Sequence, residues 1–383
     1  MKSLDQSTIR KQNIRRILEL LTTQAPRTRQ SLAEATGLSL MTVTNLVDQL
    51  KEQQVLDLTP VARSGESKRM SGRKAENISL KGSSHAWMII DLSGRNFRYT
   101  LLGFDLSCLY EKNCSEEGEY LPRLESFLHT IREELDSLLC GRELLGVAVV
   151  APGPYEIAND TVYNQRLPEL NAIKIKALLQ RCLGDYNYYV DEDVKFAVRA
   201  FTPLIEQAPC ELLYYLFIGE GVGGAVVHNG NMLRGLNATA GDAGQLTTPD
   251  GSTYESLLSL SSFSASLGCR AEGTKQMLEF LQQCALTRPD EYHIALDRAA
   301  AIACDMLYSV LWVLDPSLLI IDCRYALPEP NTFIELVSFH LSARLSASGK
   351  RAPAIVPAAQ GMSSIVRGAV QVLQREWIER LLA

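Results

Sequence analysis

The chain has 383 residues, 46% of them hydrophobic and 21% charged, with a formal net charge of −6. That length holds two or three domains with a sizeable core, and that composition excludes wholesale disorder. No apolar run approaches the roughly 18–20 residues that cross a bilayer, and the polar N-terminus lacks a secretory apolar core, so a cytoplasmic protein without a membrane partner is expected.

The net charge hides an asymmetry. Residues 1–80 hold 13 Lys+Arg against 8 Asp+Glu, which leaves 25 against 36 for the rest of the chain. A basic head on an acidic body suits nucleic-acid binding by the head alone, although such a segment can also be merely soluble. Nine cysteines are scattered with no Cys-x-x-Cys pair, which fits reduced thiols better than disulfides or zinc.

In chain order, Ile9, Ile14, Ile17, Leu18 and Leu21 predict a first helix with one apolar stripe. Arg27 to Ala35 reads as a second helix. Thr36-Gly37-Leu38-Ser39 is a tight turn in which Gly37 takes a positive φ and Ser39 caps the third helix. That helix spans Leu40 to Glu52, with Val43, Leu46, Val47 and Leu50 on its buried face. Met41, Thr42, Thr44, Asn45 and Asp48 lie on the other face. Short polar side chains near such an N-terminus suit the major groove, where Asn reads adenine and Thr or Met meets a thymine methyl. Arg29, Ser39, Met41, Thr42, Thr44 and Asn45 are therefore candidate DNA contacts. A plain three-helix bundle is the alternative.

Val55 to Leu80 fits a wing. Arg63, Lys68, Arg69, Arg73 and Lys74 supply its charge around Gly65 and Gly72, and Arg63 and Arg73 are candidate phosphate or minor-groove contacts. A solvated linker is the other reading. From His85 onward, apolar runs alternate with amphipathic helices, the α/β pattern. Strands are predicted at Trp87–Asp91, Phe97–Phe104, Leu144–Val150, Leu212–Ile218, Gly224–His228 and Leu318–Ile321. Helices are predicted at Pro122–Leu139, Asp193–Glu206, Tyr254–Leu267, Glu291–Leu314 and Ser363–Leu382. Two similar openings, near Trp87 and Leu212, fit two related lobes.

The run from Arg27 to Ser39, then Val43-Thr44-Asn45-Leu46-Val47, then Ser71-Gly72-Arg73-Lys74 and an α/β body, resembles the ROK family of repressors, open reading frames and sugar kinases. Within it the chain is most similar to the NagC/Mlc/XylR-type repressors. In the body the resemblance rests on Asp91, Ala151-Pro152-Gly153-Pro154, Asp193, Gly219 to Gly224, Gly241-Asp242-Ala243-Gly244, and Glu255 followed by Ser259. It implies a winged helix-turn-helix with wing or linker over residues 1–80. Residues 81–383 would then form a two-lobed, actin-like, ribonuclease H-like sugar-kinase-type domain with a cleft between lobes.

The departures from the family matter as much. Asp91-Leu92-Ser93-Gly94-Arg95-Asn96 stands where family kinases have Asp-x-Gly-Gly-Thr-Lys at the phosphates. Gly219-Glu220-Gly221 replaces Gly-Thr-Gly, which puts a carboxylate against a triphosphate. Like unit charges at about 4 Å repel by about 4 kcal/mol at an effective dielectric near 20. Asp322-Cys323-Arg324 stands where glycines would admit adenine. The family's zinc loop is missing, with Gln245 in place of its histidine. No nucleotide cofactor, no metal and no enzyme activity are therefore expected.

Carried over from the family, the sugar site comprises Glu192, Asp193, Asp242, Gln245 and Glu255. Four carboxylates in one site are costly without compensation, and Lys195 is expected to pair with one of them. The resemblance thus implies a regulator whose partners are double-stranded DNA at a palindromic operator and a sugar-like effector. It also implies assembly as a homodimer or dimer of dimers. A sugar kinase with a DNA-binding appendage stays open, as does a regulator governed by a protein partner with a vestigial pocket.

Overall fold

A computed structural model describes residues 6–24, 26–60, 76–94, 96–114, 118–164, 168–201, 211–271, 273–326, 328–358 and 363–381. Two compact units divide the chain. One runs from the N-terminus to Asp191 and includes Ala369 onward; the other is Glu192–Gly368.

The first unit opens with α1 (Gln6–Gln24), α2 (Arg29–Thr36) and α3 (Leu40–Glu52). Thr28 caps α2, its hydroxyl accepting from the Ser31 N–H. Gly37 ends α2 at φ +71°, in the left-handed region where glycine has no Cβ penalty. Ile14, Ile17, Leu18, Leu21, Leu32, Val43, Leu46, Val47 and Leu50 bury the three helices against each other. Ile9, expected in that stripe, is instead exposed, because it lies beyond the end of the packed face. Strands β1 (Leu56–Pro60) and β2 (Glu76–Leu80) pair antiparallel, and Arg27 bridges to Ile78. The wing residues Arg63, Lys68, Arg69, Arg73 and Lys74 lie outside the described residues. The head joins its lobe through backbone and side chain: Lys81 N–H donates to Val55 O at 2.9 Å, and Ser84 Oγ donates to Gln54 O at 2.6 Å.

Behind the head lies a five-stranded sheet, ordered β5 (Cys108–Cys114), β4 (Phe97–Gly103), β3 (His85–Asp91), β6 (Glu143–Ala151) and β9 (Tyr188–Glu192). The short pair β7 (Tyr155–Glu156) and β8 (Thr161–Val162) follows β6. Helices α4 (Tyr120–Leu139) and α5 (Ile175–Cys182) bury Leu124, Phe127, Leu128, Ile131 and Leu179 on this sheet.

The second unit starts with α6 (Asp193–Arg199) and repeats the plan. Its sheet is ordered β12 (Asn231–Leu233), β11 (Val222–His228), β10 (Leu212–Ile218), β13 (Leu318–Cys323) and β14 (Ala354–Pro357). In both sheets an antiparallel hairpin leads and a parallel strand comes next by crossover, β3 with β6 and β10 with β13. The two related lobes read from the sequence are therefore present in the strand order. Helices α7 (Tyr254–Leu258), α8 (Leu260–Ser266), α9 (Thr274–Thr287), α10 (Pro289–Leu314) and α11 (Pro330–Ser346) complete the unit. The last helix, α12 (Ser364–Leu381), begins in the second unit and ends in the first.

Most expected ends shift by one or two residues, and three changes have a physical cause. Strand β11 starts at Val222, because Gly223 and Gly224 give the strand close packing that a pattern of side chains cannot signal. The helix expected over Tyr254–Leu267 breaks at Ser259, which is extended (φ −60°, ψ 153°) and caps α8 through Ser262. The helix expected from Asp193 to Glu206 runs to Arg199, and 202–210 lie outside the described residues.

Candidate nucleic-acid interface and effector site

Helix α3 presents its N-terminal turn to solvent. Ser39 caps it, Oγ accepting from the Thr42 N–H at 3.1 Å and lying 2.9 Å from Thr42 Oγ1. Thr44 Oγ1 donates to the Leu40 carbonyl at 2.8 Å. Asn45 is exposed, and Met41 is 75% exposed. Leu40, absent from the candidates drawn from sequence, is 54% exposed. Arg29 sits differently from the DNA contact expected of it. Its guanidinium holds Asp48 of α3 at 2.8 Å and Glu76 of β2 at 2.7 Å, with 15% of the side chain exposed. Its charge is spent tying the wing strand to α2 and α3.

Three of the five expected effector residues, Asp193, Asp242 and Glu255, gather around β11. Val222 N–H donates to Glu255 Oε2 at 3.2 Å. A Cβ on Gly223 would lie 3.3 Å from Val194, the neighbour of Asp193. A Cβ on Gly224 would lie 2.3 Å from the carbonyl of Gly241, the neighbour of Asp242. Only glycine allows that approach, and the Tyr214 hydroxyl fastens it by donating to Gly241 O at 2.9 Å. Asp193 Oδ1 takes the Val194 N–H at 2.7 Å, and Glu192 is buried at the end of β9. Gln245 follows Gly244 on a 3-10 turn and is exposed.

Asp242 is the strained member. Its Oδ1 is buried and accepts no hydrogen bond. Burial, and next the negative charge of Glu255, raise its pKa, while Lys195 and the Gly244 N–H act the other way. Lys195 meets a carboxylate through its charge on Asp242 and not through a direct bond. It is 1% exposed, and Nζ donates to the carbonyls of Ala240 at 3.1 Å and Gly224 at 3.4 Å.

The loops expected to have lost their phosphates hold their own partners. Asp91 accepts from Ser93 N–H at 3.0 Å and Ser93 Oγ at 2.6 Å, and pairs with Arg98 at 3.0 Å. Glu220 accepts from the Thr274 hydroxyl at the start of α9. Asp322 accepts from the Tyr215 hydroxyl at 2.8 Å. Among the described residues no cluster of His, Cys, Asp and Glu has metal-binding geometry, and no helix is long and apolar enough to cross a membrane.

The ROK family matches residues 88–376, which is most of the chain. The chain belongs to the ROK family. A winged helix-turn-helix DNA-binding domain matches residues 10–56 of this ROK protein. Over 161 residues, 42% of the chain, it is 26% identical to an N-acetyl-D-glucosamine kinase of Yersinia pestis bv. Antiqua (strain Nepal516). That match takes in 61% of the kinase, and 51% of the one from Yersinia pseudotuberculosis serotype O:1b (strain IP 31758). The ROK chain thus spans about half to three-fifths of the curated relatives it matches. Among solved structures, a ROK family transcriptional regulator, a homolog of the E. coli MLC protein, superposes with a TM-score of 0.67 at 14% identity. It covers 98% of both chains. A ROK glucokinase from Streptomyces griseus, in complex with glucose and AMPPNP, gives 0.61 at 14% identity, over 75% of this chain and 98% of that one. These likenesses establish the fold: a winged helix-turn-helix head on an actin-like, sugar-kinase-type body.

Proposed function

We propose that this ROK protein is a sequence-specific DNA-binding transcription regulator, a repressor of carbohydrate-metabolism genes relieved by a sugar or sugar derivative. The observation that carries it is the exposed N-terminal turn of α3, a surface whose apolar and amide groups have no use inside the head. A homodimer or dimer of dimers would place two such heads on a palindrome. Arg63 and Arg73 would add phosphate contacts from the wing, and Arg29 would position α3.

The body is proposed to sense and not to catalyse. Asp91 is engaged by Ser93 and Arg98, and Glu220 would oppose a triphosphate. Asp193, Asp242 and Glu255 around β11, with Glu192 and Gln245, would hold the effector. Their negative charge favours a neutral or amino-bearing polyol over a sugar phosphate, since an ammonium gains a charge-assisted hydrogen bond. The kinase relatives make N-acetyl-D-glucosamine the first sugar to try.

The test is direct. The full chain should bind its own upstream DNA, with log affinity falling by about 0.9 per phosphate contact for each log unit of salt. A thermal-shift screen of sugars, amino sugars and sugar phosphates should find an unphosphorylated binder that releases the DNA. A coupled assay should find no ATP-dependent phosphorylation of any of them. Turnover near 1 s⁻¹ would favour the kinase, and DNA release by no sugar at all would favour control by a protein partner.

A further inference from the structure

We infer that the half-site is read mainly through thymine 5-methyl groups, by Leu40, Met41 and the methyl of Thr44, with Asn45 as the polar reader. The inference rests on the regulator reading above and deepens it. Ser39 Oγ accepts from the Thr42 N–H and lies against Thr42 Oγ1, and Thr44 Oγ1 donates to the Leu40 carbonyl. All three hydroxyls on the first turns of α3 are therefore engaged within the helix, and base edges would have to compete with those bonds.

The groups still facing outward are mostly apolar. Leu40 is 54% exposed and Met41 is 75% exposed. Residues four apart on a helix stand one above the other, so Leu40 lies in a column with Thr44 and Met41 in a column with Asn45. Thr44, its hydroxyl turned to the backbone, has its methyl left to offer in the first column. The second column pairs a flexible thioether with an exposed amide. On the floor of the major groove the thymine methyl is the one apolar group, and adenine N6 and N7 match an asparagine amide. Consecutive A·T pairs, with thymines facing Leu40 and Met41 and an adenine facing Asn45, complement both columns.

Deoxyuridine tests this, because it keeps every hydrogen bond of thymine and removes the methyl. The full chain would first be used to select duplexes from a random pool. Each thymine of the enriched half-site would then be replaced singly by deoxyuridine. At least two positions should each weaken binding about fourfold, the value of one buried methyl group. Leu40→Ala and Met41→Ala should weaken binding to thymine DNA and abolish the uracil penalty, each at its own position. Both side chains are exposed, so the variants should melt like the parent. Enrichment followed by a flat uracil profile, or an unchanged penalty in both variants, overturns the methyl reading alone. Failure to enrich any sequence overturns the regulator reading and this inference with it.

Discussion

In the head, the hydroxyls of Ser39, Thr42 and Thr44 are bonded within the N-terminal turns of α3, whereas beside β11 Asp242 keeps a buried carboxylate oxygen with no hydrogen bond. A short polar side chain on an exposed helix can close on its own backbone within one turn, at little cost. A carboxylate on a loop pinned by Gly224 and Gly241 has no such freedom. Leaving a buried acceptor unmet costs roughly 1–3 kcal/mol. The first turns of α3 thus satisfy their hydroxyls locally as they fold. On the β11 wall the Asp242 acceptor stays unmet.

The largest expected effect comes from removing the glycine contact that fixes the wall. A Cβ on Gly244 would fall 1.9 Å from the Val222 carbonyl oxygen, and backbone cannot yield as a side chain can. Gly244→Ala should cost about 3 kcal/mol, a fall of roughly 6–12 °C in the thermal midpoint. A midpoint within about 2 °C of the parent would mean that the wall adapts and Asp242 is not pinned. Next is Asn45→Ala, which should cost about 1–3 kcal/mol of operator affinity and relax preference at one base pair. Equal affinity in a gel-shift titration would remove Asn45 from the interface.

A smaller effect separates folding from reading at Ser39. Ser39→Ala loses the cap and about 1 kcal/mol of head stability, and Ser39→Asn, another good cap, should restore it. If Ser39 acts through the helix alone, Ser39→Asn binds the operator as the parent does. A Ser39→Asn protein that is stable but has lost its sequence preference would make Ser39 a base contact after all.

Much of this is legible in the sequence, and the omissions have physical causes. The head is plain because Gly37 and Ser39 act locally, through a left-handed turn and a cap. Leu40 escapes notice because its spacing from Val43, Val47 and Leu50 marks it as core, yet it sits on the first turn, beyond the packed surface. The family motifs locate Asp193, Asp242 and Glu255 on one wall, since glycine runs are visible in any sequence. Partners that depend on tertiary register are hidden. Arg98 faces Asp91 only because β3 and β4 pair in that register. Arg29 reads as a DNA contact because its place in α2 gives no sign of Asp48 and Glu76. Lys195 finds carbonyls from two separate segments, Gly224 and Ala240, where charge counting points to a carboxylate.

The smallest effect is the one that tests the wall most directly, through pH. Asp242 has its pKa raised by burial and by Glu255, so the folded chain holds that proton more tightly than the unfolded chain. Below the ordinary carboxylate range both states are protonated and the residue makes no difference. As pH rises through that range the unfolded carboxyl ionises first, and stability is lost until the folded carboxyl ionises too. At neutral pH Asp242 is therefore a net cost. Asp242→Asn should raise the thermal midpoint at pH 7, and the gain should shrink toward zero as pH falls to about 4. The same variant should weaken the response to the effector while leaving operator binding intact, because the orphaned oxygen is the group that a ligand hydroxyl or ammonium would engage. A gain that does not change with pH would mean that the charge of Asp242 is already compensated within the fold. The contrast between the first turns of α3 and the β11 wall would then fail at the wall.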